Sequence, residues 1–400
     1  MQSSQTLGAK QIKLRRMEKG LNVYDGGLGE NPFPTPAPIV QALVDHASET
    51  SYLTAEGIPE LRRRFPSHRL VLGNGLKPLL ATIQLAFMRL HPSGTIVHIS
   101  PAWVSYKEQT DILQLPTVVV QTKATNMWRL TAEDLEETFQ SHGLKDRPHL
   151  VMYNSPQNPT GYVYNATETA AFANVFNRYQ STVLYDNIYE HIAFSPSGDI
   201  RDHCERVVWA SSLSKNYAAG GYRLGWLAFP DGFLEALRDA CLALSTYLYT
   251  CPTTPVQYAA AKALDSTNPV IARHLRFQRS TYHHISTIIL SAFRVMRLTC
   301  TQTQGAYYTL VNFEHYADAL QNIGIRTSDE LCCALAEQEG LITVSASAFG
   351  VDTPYVLRYS MVDLVDIDAE SESFNFTPVR EFLRVLKEWL NRITTADHGI

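Results

Sequence analysis

Leu150-Val151-Met152-Tyr153-Asn154-Ser155-Pro156-Gln157-Asn158-Pro159-Thr160-Gly161 starts as an unbroken apolar run and ends as a polar turn. The run reads as a strand buried on both faces, which the prolines and the glycine then stop. Asn-Pro-Thr-Gly is by itself a good turn, since proline fixes φ and glycine admits φ > 0. Turn chemistry does not require the asparagine before Pro159, whereas a binding site can use its amide. Comparable runs occupy residues 96–99, 117–120, 182–185, 207–210 and 224–228, with helical patterns between them. That alternation predicts an α/β fold, in which ligands gather beyond the carboxyl ends of the strands.

Further from this centre the pattern changes. After about residue 280 a long helix, short strands near 307–312 and 356–360 and a final helix over 378–393 predict a smaller α+β lobe. Gly26-Gly27-Leu28-Gly29 and Asn31-Pro32-Phe33-Pro34-Thr35-Pro36-Ala37-Pro38 are too rich in glycine and proline for regular structure and read as an arm. The expected organisation is therefore 1–36 as arm and part of the small domain, 37–280 as the large domain, and 281–400 as the small C-terminal domain.

With 45% hydrophobic and 18% charged residues over 400 positions, the chain can bury a large core without staples. A net charge of −5 and scattered basic residues, with only Arg62-Arg63-Arg64 as a run, argue against nucleic acid as a partner. Cys204, Cys241, Cys251, Cys300, Cys332 and Cys333 form no CxxC pair and are expected to be buried thiols. No apolar stretch is long enough for a membrane span and the N-terminus carries no apolar leader core, so the expected setting is cytoplasmic. GxGxxG, GxxxxGK[ST] and HExxH are absent, and His283-His284 in a helical stretch reads as a solvated face.

The chemistry-bearing residues follow strands. Ser212-Leu213-Ser214-Lys215 ends one run, and Arg223 follows eight residues after the lysine. An amine that can form an imine thus stands beside hydroxyls and a guanidinium suited to a phosphate dianion. Asp186-Asn187-Ile188-Tyr189 ends another run, placing a carboxylate at the strand end and a phenol three residues on; the alternative is a helix cap with a packed tyrosine. A carboxylate there can keep a pyridine nitrogen protonated, which makes the ring an electron sink.

Asn158-Pro-Thr-Gly, Asp186-x-x-Tyr189, Ser212-x-Ser-Lys215 and Arg223-x-Gly-Trp226 occur in the order and approximate spacing of the class I/II aminotransferases, pyridoxal 5'-phosphate (PLP) enzymes of fold type I. The style is that of the aspartate/prephenate branch, and the resemblance spans about residues 20–390. It implies a large domain with a mostly parallel sheet of the seven-stranded type and a smaller α+β domain. It implies catalytic roles for Lys215, Asp186 and Tyr189, with Lys215 as Schiff-base lysine and proton shuttle in a ping-pong aldimine/ketimine cycle between an L-amino acid and a 2-oxo acid.

Residue by residue, the resemblance assigns the backbone of Asn74-Gly75-Leu76 to the phosphate and Trp103 to ring stacking. Asn158 binds the ring oxygen in this reading, Ser212, Ser214 and Arg223 bind the phosphate, and Arg358 clamps the substrate carboxylate, with Gly29, Asn158 and Trp103 lining the substrate pocket. Tyr52 resembles the tyrosine that reaches the neighbouring subunit's phosphate, which implies a homodimer with shared sites.

Leu76 stands where some acid-preferring members carry a lysine, and the adjacent Lys77 is expected to point elsewhere. Tyr247, Tyr249, Tyr307 and Phe349 leave an aromatic or neutral side-chain preference open. Another fold type I reaction, such as carbon–sulfur lysis, decarboxylation or cyclopropane formation, shares the same lysine, aspartate and arginine. A PLP-sensing regulator is disfavoured, because fewer than thirty residues precede the arm, too few for a winged-helix head.

Overall fold

The computed structural model describes residues 5–395, and side chains from residue 11. The extreme ends of the expected domains, 1–4 and 396–400, lie outside the described residues. The central sheet comprises β1 (His68–Gly73), β2 (Thr95–Ser100), β3 (Thr117–Gln121), β4 (His149–Asn154), β5 (Thr182–Asp186), β6 (Val207–Ser212) and β7 (Gly225–Pro230). Its spatial order is β1-β7-β6-β5-β4-β2-β3, with β7 antiparallel to both neighbours and the pairs from β6 to β3 parallel.

Alternation along the strands distributes the core between two faces. Val97, Val151, Tyr153, Val183 and Tyr185 pack with Leu135, Phe139, Phe172 and Phe176 from the helices Ala132–Ser141 and Ala166–Arg178. The intervening Ile96, Leu150, Met152 and Leu184 pack on the other face, against Leu79, Leu80, Ile83 and Phe87 of Leu76–Leu90 and Leu237 of Glu235–Tyr249. Covering both faces leaves the strand ends as the place where polar side chains can meet a ligand.

The C-terminal part contributes a four-stranded antiparallel sheet of β8 (Thr299–Cys300), β9 (Tyr308–Asn312), β10 (Val344–Ser345) and β11 (Val356–Ser360), in the order β10-β11-β9-β8. The 27-residue helix Pro269–Val295 and the helix Thr377–Thr395 pack with it in one cluster that includes Tyr282, Ile289, Tyr359 and Trp389. Three details depart from the sequence reading. The long helix starts at Pro269 and runs unbroken through residue 280. β1 fills the short interval between Leu61 and Asn74, where the sequence reading named no strand. Only Cys204 and Cys241 are buried thiols; Cys251, Cys300 and Cys332 are partly exposed and Cys333 is exposed.

Candidate active site

Asn154, Asp186 and Ser212 are the last residues of β4, β5 and β6, and all three line a cleft of about 540 Å³. The same cleft is lined by Gly29, Leu76, Trp103, Asn158, Tyr189, Ser214, Lys215, Arg223 and Arg358. The turn after β4 is tied to its neighbour: Asn154 Nδ2 donates to the Asp186 carbonyl at 2.9 Å, and Asn154 Oδ1 accepts from the Asn158 N–H at 2.9 Å. One asparagine thereby fixes where Asn158 stands relative to Asp186.

Asp186 is 3% exposed. Burial pushes its carboxyl up to about 6, against opposing bonds from the Tyr106 hydroxyl and the Ile188 N–H and against the Lys215 charge. The Tyr106 bond, 2.6 Å to Oδ2, was not part of the expected site. Its signal in the sequence was the spacing, three residues after Trp103, and in the structure the two rings meet edge-on at 5.7 Å.

Two tight backbone features build the other wall. Gly75 precedes the helix Leu76–Leu90 with φ +95°, and a Cβ there would stand 2.3 Å from an Arg223 guanidinium nitrogen. Gly225 passes so close beneath the helix start that its Cβ would meet the Leu76 nitrogen at 2.5 Å. Both positions therefore demand glycine. Arg223 itself takes φ +55°, a left-handed conformation that costs a non-glycine residue on the order of 1 kcal/mol. Its guanidinium donates to the carbonyls of Gly220 at 2.8 Å and Asn74 at 3.4 Å.

The half-buried Lys215 donates from Nζ to the Gly29 carbonyl, and its amine lies 6.0 Å from the Tyr307 ring centre. Tyr189 shares a 2.9 Å hydroxyl contact with Tyr308, a residue absent from the expected site. Arg358, on β11, is 4% exposed. Its Nη atoms donate to Asn158 Oδ1 at 3.3 Å and to the Gly27 carbonyl, while the rings of Tyr308 and Phe349 flank it at 4.6 and 4.9 Å. Its Nε is buried without a partner. Burial lowers its pKa from the ordinary arginine value, but a guanidinium stays charged at any relevant pH.

Lys77 corrects the sequence reading. It lines the cleft, with Nζ 4.9 Å from the Trp103 ring centre, and burial together with the Arg223 and Lys215 charges lowers its pKa. Residue spacing alone does not reveal where the end of so long a side chain comes to rest. Tyr52 is not brought to its own chain's cleft and is 86% exposed. Tyr247 is 90% exposed, and Tyr249 donates to the Leu72 carbonyl away from the lining; of the four aromatics considered, Phe349 lines the cleft and Tyr307 backs the lysine.

Four cations, Lys77, Lys215, Arg223 and Arg358, thus face a cleft whose lining offers the carboxylates of Asp186 and Glu30. The bonds of Lys215, Arg223 and Arg358 run to carbonyl and amide oxygens. Among the described residues no His, Cys, Asp and Glu cluster suited to a metal occurs, and no helix is long and apolar enough to cross a membrane.

An amine beside a buried carboxyl and guanidinium groups that have no carboxylate partner, at the carboxyl ends of a doubly covered sheet, defines an enzyme site that holds anions next to a lysine. The family model of aminotransferase class I and II matches residues 20–369, and the chain belongs to that family. It is a PLP-dependent enzyme that moves amino groups between amino acids and oxo acids. It is 25% identical to an aspartate aminotransferase of Bacillus subtilis over 92% of each chain. It is 26% identical to an aspartate/prephenate aminotransferase of Cereibacter sphaeroides, covering 90% of this chain and 93% of that one. An aspartate aminotransferase of Thermus thermophilus solved with maleate has the same fold, with TM-score 0.80 at 22% identity over 97% of each chain.

Proposed function

We propose that Lys215 carries the cofactor and shuttles the proton, that Arg358 binds the substrate α-carboxylate, and that the backbone of Asn74, Gly75 and Leu76 together with Trp103, Asn158, Asp186, Tyr189, Ser212, Ser214 and Arg223 holds the cofactor. The observation that carries this reading is Arg358, a buried guanidinium with an unpartnered Nε and no carboxylate among its hydrogen-bond partners. Burying such a charge is costly unless an anion completes it, and a planar guanidinium suits a carboxylate.

The donor set fits PLP. Arg223, bonded only to carbonyls, stands against the Gly75–Leu76 helix start, where N–H groups and the helix dipole favour an anion, and Ser212 and Ser214 add hydroxyls. Asp186 is the buried carboxyl that would accept a hydrogen bond from the ring nitrogen and keep it protonated, and Tyr106 keeps it oriented. Trp103 offers a ring face, and Asn158 and Tyr189 offer donors to the ring oxygen. When bound, PLP supplies an aldehyde that condenses with amines and a ring that delocalises the electron pair left at Cα. The chain supplies the rest: Arg358 orients the substrate, and the Lys215 amine takes the proton from Cα as general base and returns it as general acid.

In this reading residues 37–280 form the cofactor domain and 1–36 with 281–400 the domain that brings Arg358. The chain works in the cytoplasm as a homodimer, the pairing supported by Tyr52, Tyr247, Leu248 and Val44, all more than half exposed. The donor is an acidic amino acid, supported by Lys77 as the cation left over in the cleft and by the names of the relatives. Oxo acid formation from aspartate and from neutral and aromatic donors, each with a 2-oxo acid acceptor, tests the reading. Turnover fastest with aspartate is expected, and none with any donor would sink it.

A further inference from the structure

Residues 29–31 of the arm touch Lys215 twice. Besides holding the amine, the Gly29 carbonyl accepts from the Tyr307 hydroxyl at 3.0 Å. Two residues on, Asn31 Nδ2 donates to the Lys215 carbonyl at 2.5 Å and to Gln278 Oε1. Asn31 Oδ1 accepts from the Tyr282 hydroxyl at 3.2 Å and the Phe33 N–H at 3.2 Å. Gln278 Nε2 in turn donates to the Asn216 carbonyl at 3.0 Å. Gln278 and Tyr282 are fully buried on the helix Pro269–Val295, and Asn31 and Asn216 are buried beside them.

The Asn31 amide is saturated, with both N–H groups given and both acceptor sites used. Rotating it by half a turn would set its oxygen against the Lys215 carbonyl and its NH₂ against the Phe33 N–H, so its partners favour one orientation. Through it the Lys215 backbone is fastened to two side chains of a 27-residue helix, and Gln278 itself holds the next carbonyl, that of Asn216. Neither Gln278 nor Tyr282 lines the cleft.

We propose that Asn31 and Gln278 are positioning residues for the Lys215 amine: they fix the backbone from which it reaches Cα, so that proton transfer occurs from one place. The proposal rests on the reading of Lys215 as proton shuttle. A general base displaced by about 1 Å loses on the order of a hundredfold in rate, whereas substrate held by Arg358 still binds.

The test is Gln278→Met, which keeps the volume and removes both amide bonds, with Tyr282→Phe as a milder second variant should the first fold poorly. Steady-state kinetics are measured with an ordinary and an α-deuterated donor. The expected result is a kcat lowered about tenfold to a hundredfold by Gln278→Met and less by Tyr282→Phe, a KM within about twofold, and a larger isotope effect on kcat, because a misplaced amine makes proton transfer slower. An unchanged isotope effect, or a loss confined to KM, overturns the proposal. Absence of turnover by the unmodified enzyme would instead remove the reading beneath it.

Discussion

Asp186 and Arg358 face the same cleft, yet the chain delivers them by different routes. Asp186, with Asn154 and Ser212, sits at the end of a parallel strand whose register is set by the sheet, so position follows from counting residues along β4, β5 and β6. Arg358 comes from β11 of the second sheet, with Tyr308 beside it from β9 and Gly29 from the arm. The first group is local and periodic. The second depends on how one part of the chain packs against another, and a charge placed that way must wait for an anion.

The largest effect is expected from the second group. Arg358→Ala should lower kcat/KM by roughly a hundredfold to a thousandfold, the loss typical when one member of a buried charge pair is truncated. Cofactor absorbance should be retained, and loss of the absorbance as well would erase the distinction between the two ends.

Asp186→Asn probes the first group through pH. A carboxyl raised from 3.8 to about 6 by burial holds its proton more tightly folded than unfolded. Its stabilising contribution is present below about pH 4 and is lost as pH rises from about 4 to 6. Cofactor-free Asp186→Asn should therefore melt higher than the unmodified protein at pH 7, by roughly 1–3 kcal/mol, with no gain at pH 4. It should also bind PLP more weakly. A difference in stability independent of pH would show that the carboxyl is not strained by burial.

Lys77→Met should lower kcat/KM for aspartate about tenfold while leaving a neutral donor within about twofold, the scale of one partly exposed charge contact. Equal losses for both donors would assign Lys77 to the cofactor's phosphate instead, beside Arg223.

The same contrast explains what the sequence could show. Every strand of the large sheet except β1, the turn at Asn158 and the order Asn158, Asp186, Lys215, Arg223 were legible because Asn158, Asp186 and Lys215 stand at or just past strand ends, which converge, while Arg223 leads into β7. Tyr106 was visible as a neighbour of Trp103, but its bond to Asp186 joins residues 80 apart in the chain. Lys77 was misjudged because a charge on a stem of four methylenes is not placed by the position of its Cα alone. Asn31 and Gln278, far apart in sequence, meet only through the packing of the arm on the long helix.

A single half-reaction tests the central claim most directly. PLP-loaded enzyme mixed with aspartate and no acceptor should release one equivalent of oxo acid per site and stop, with the cofactor in its amine form, and an added 2-oxo acid should restart it. Continued turnover without acceptor, with ammonia, carbon dioxide or a cleaved side chain as product, would contradict transamination at Lys215.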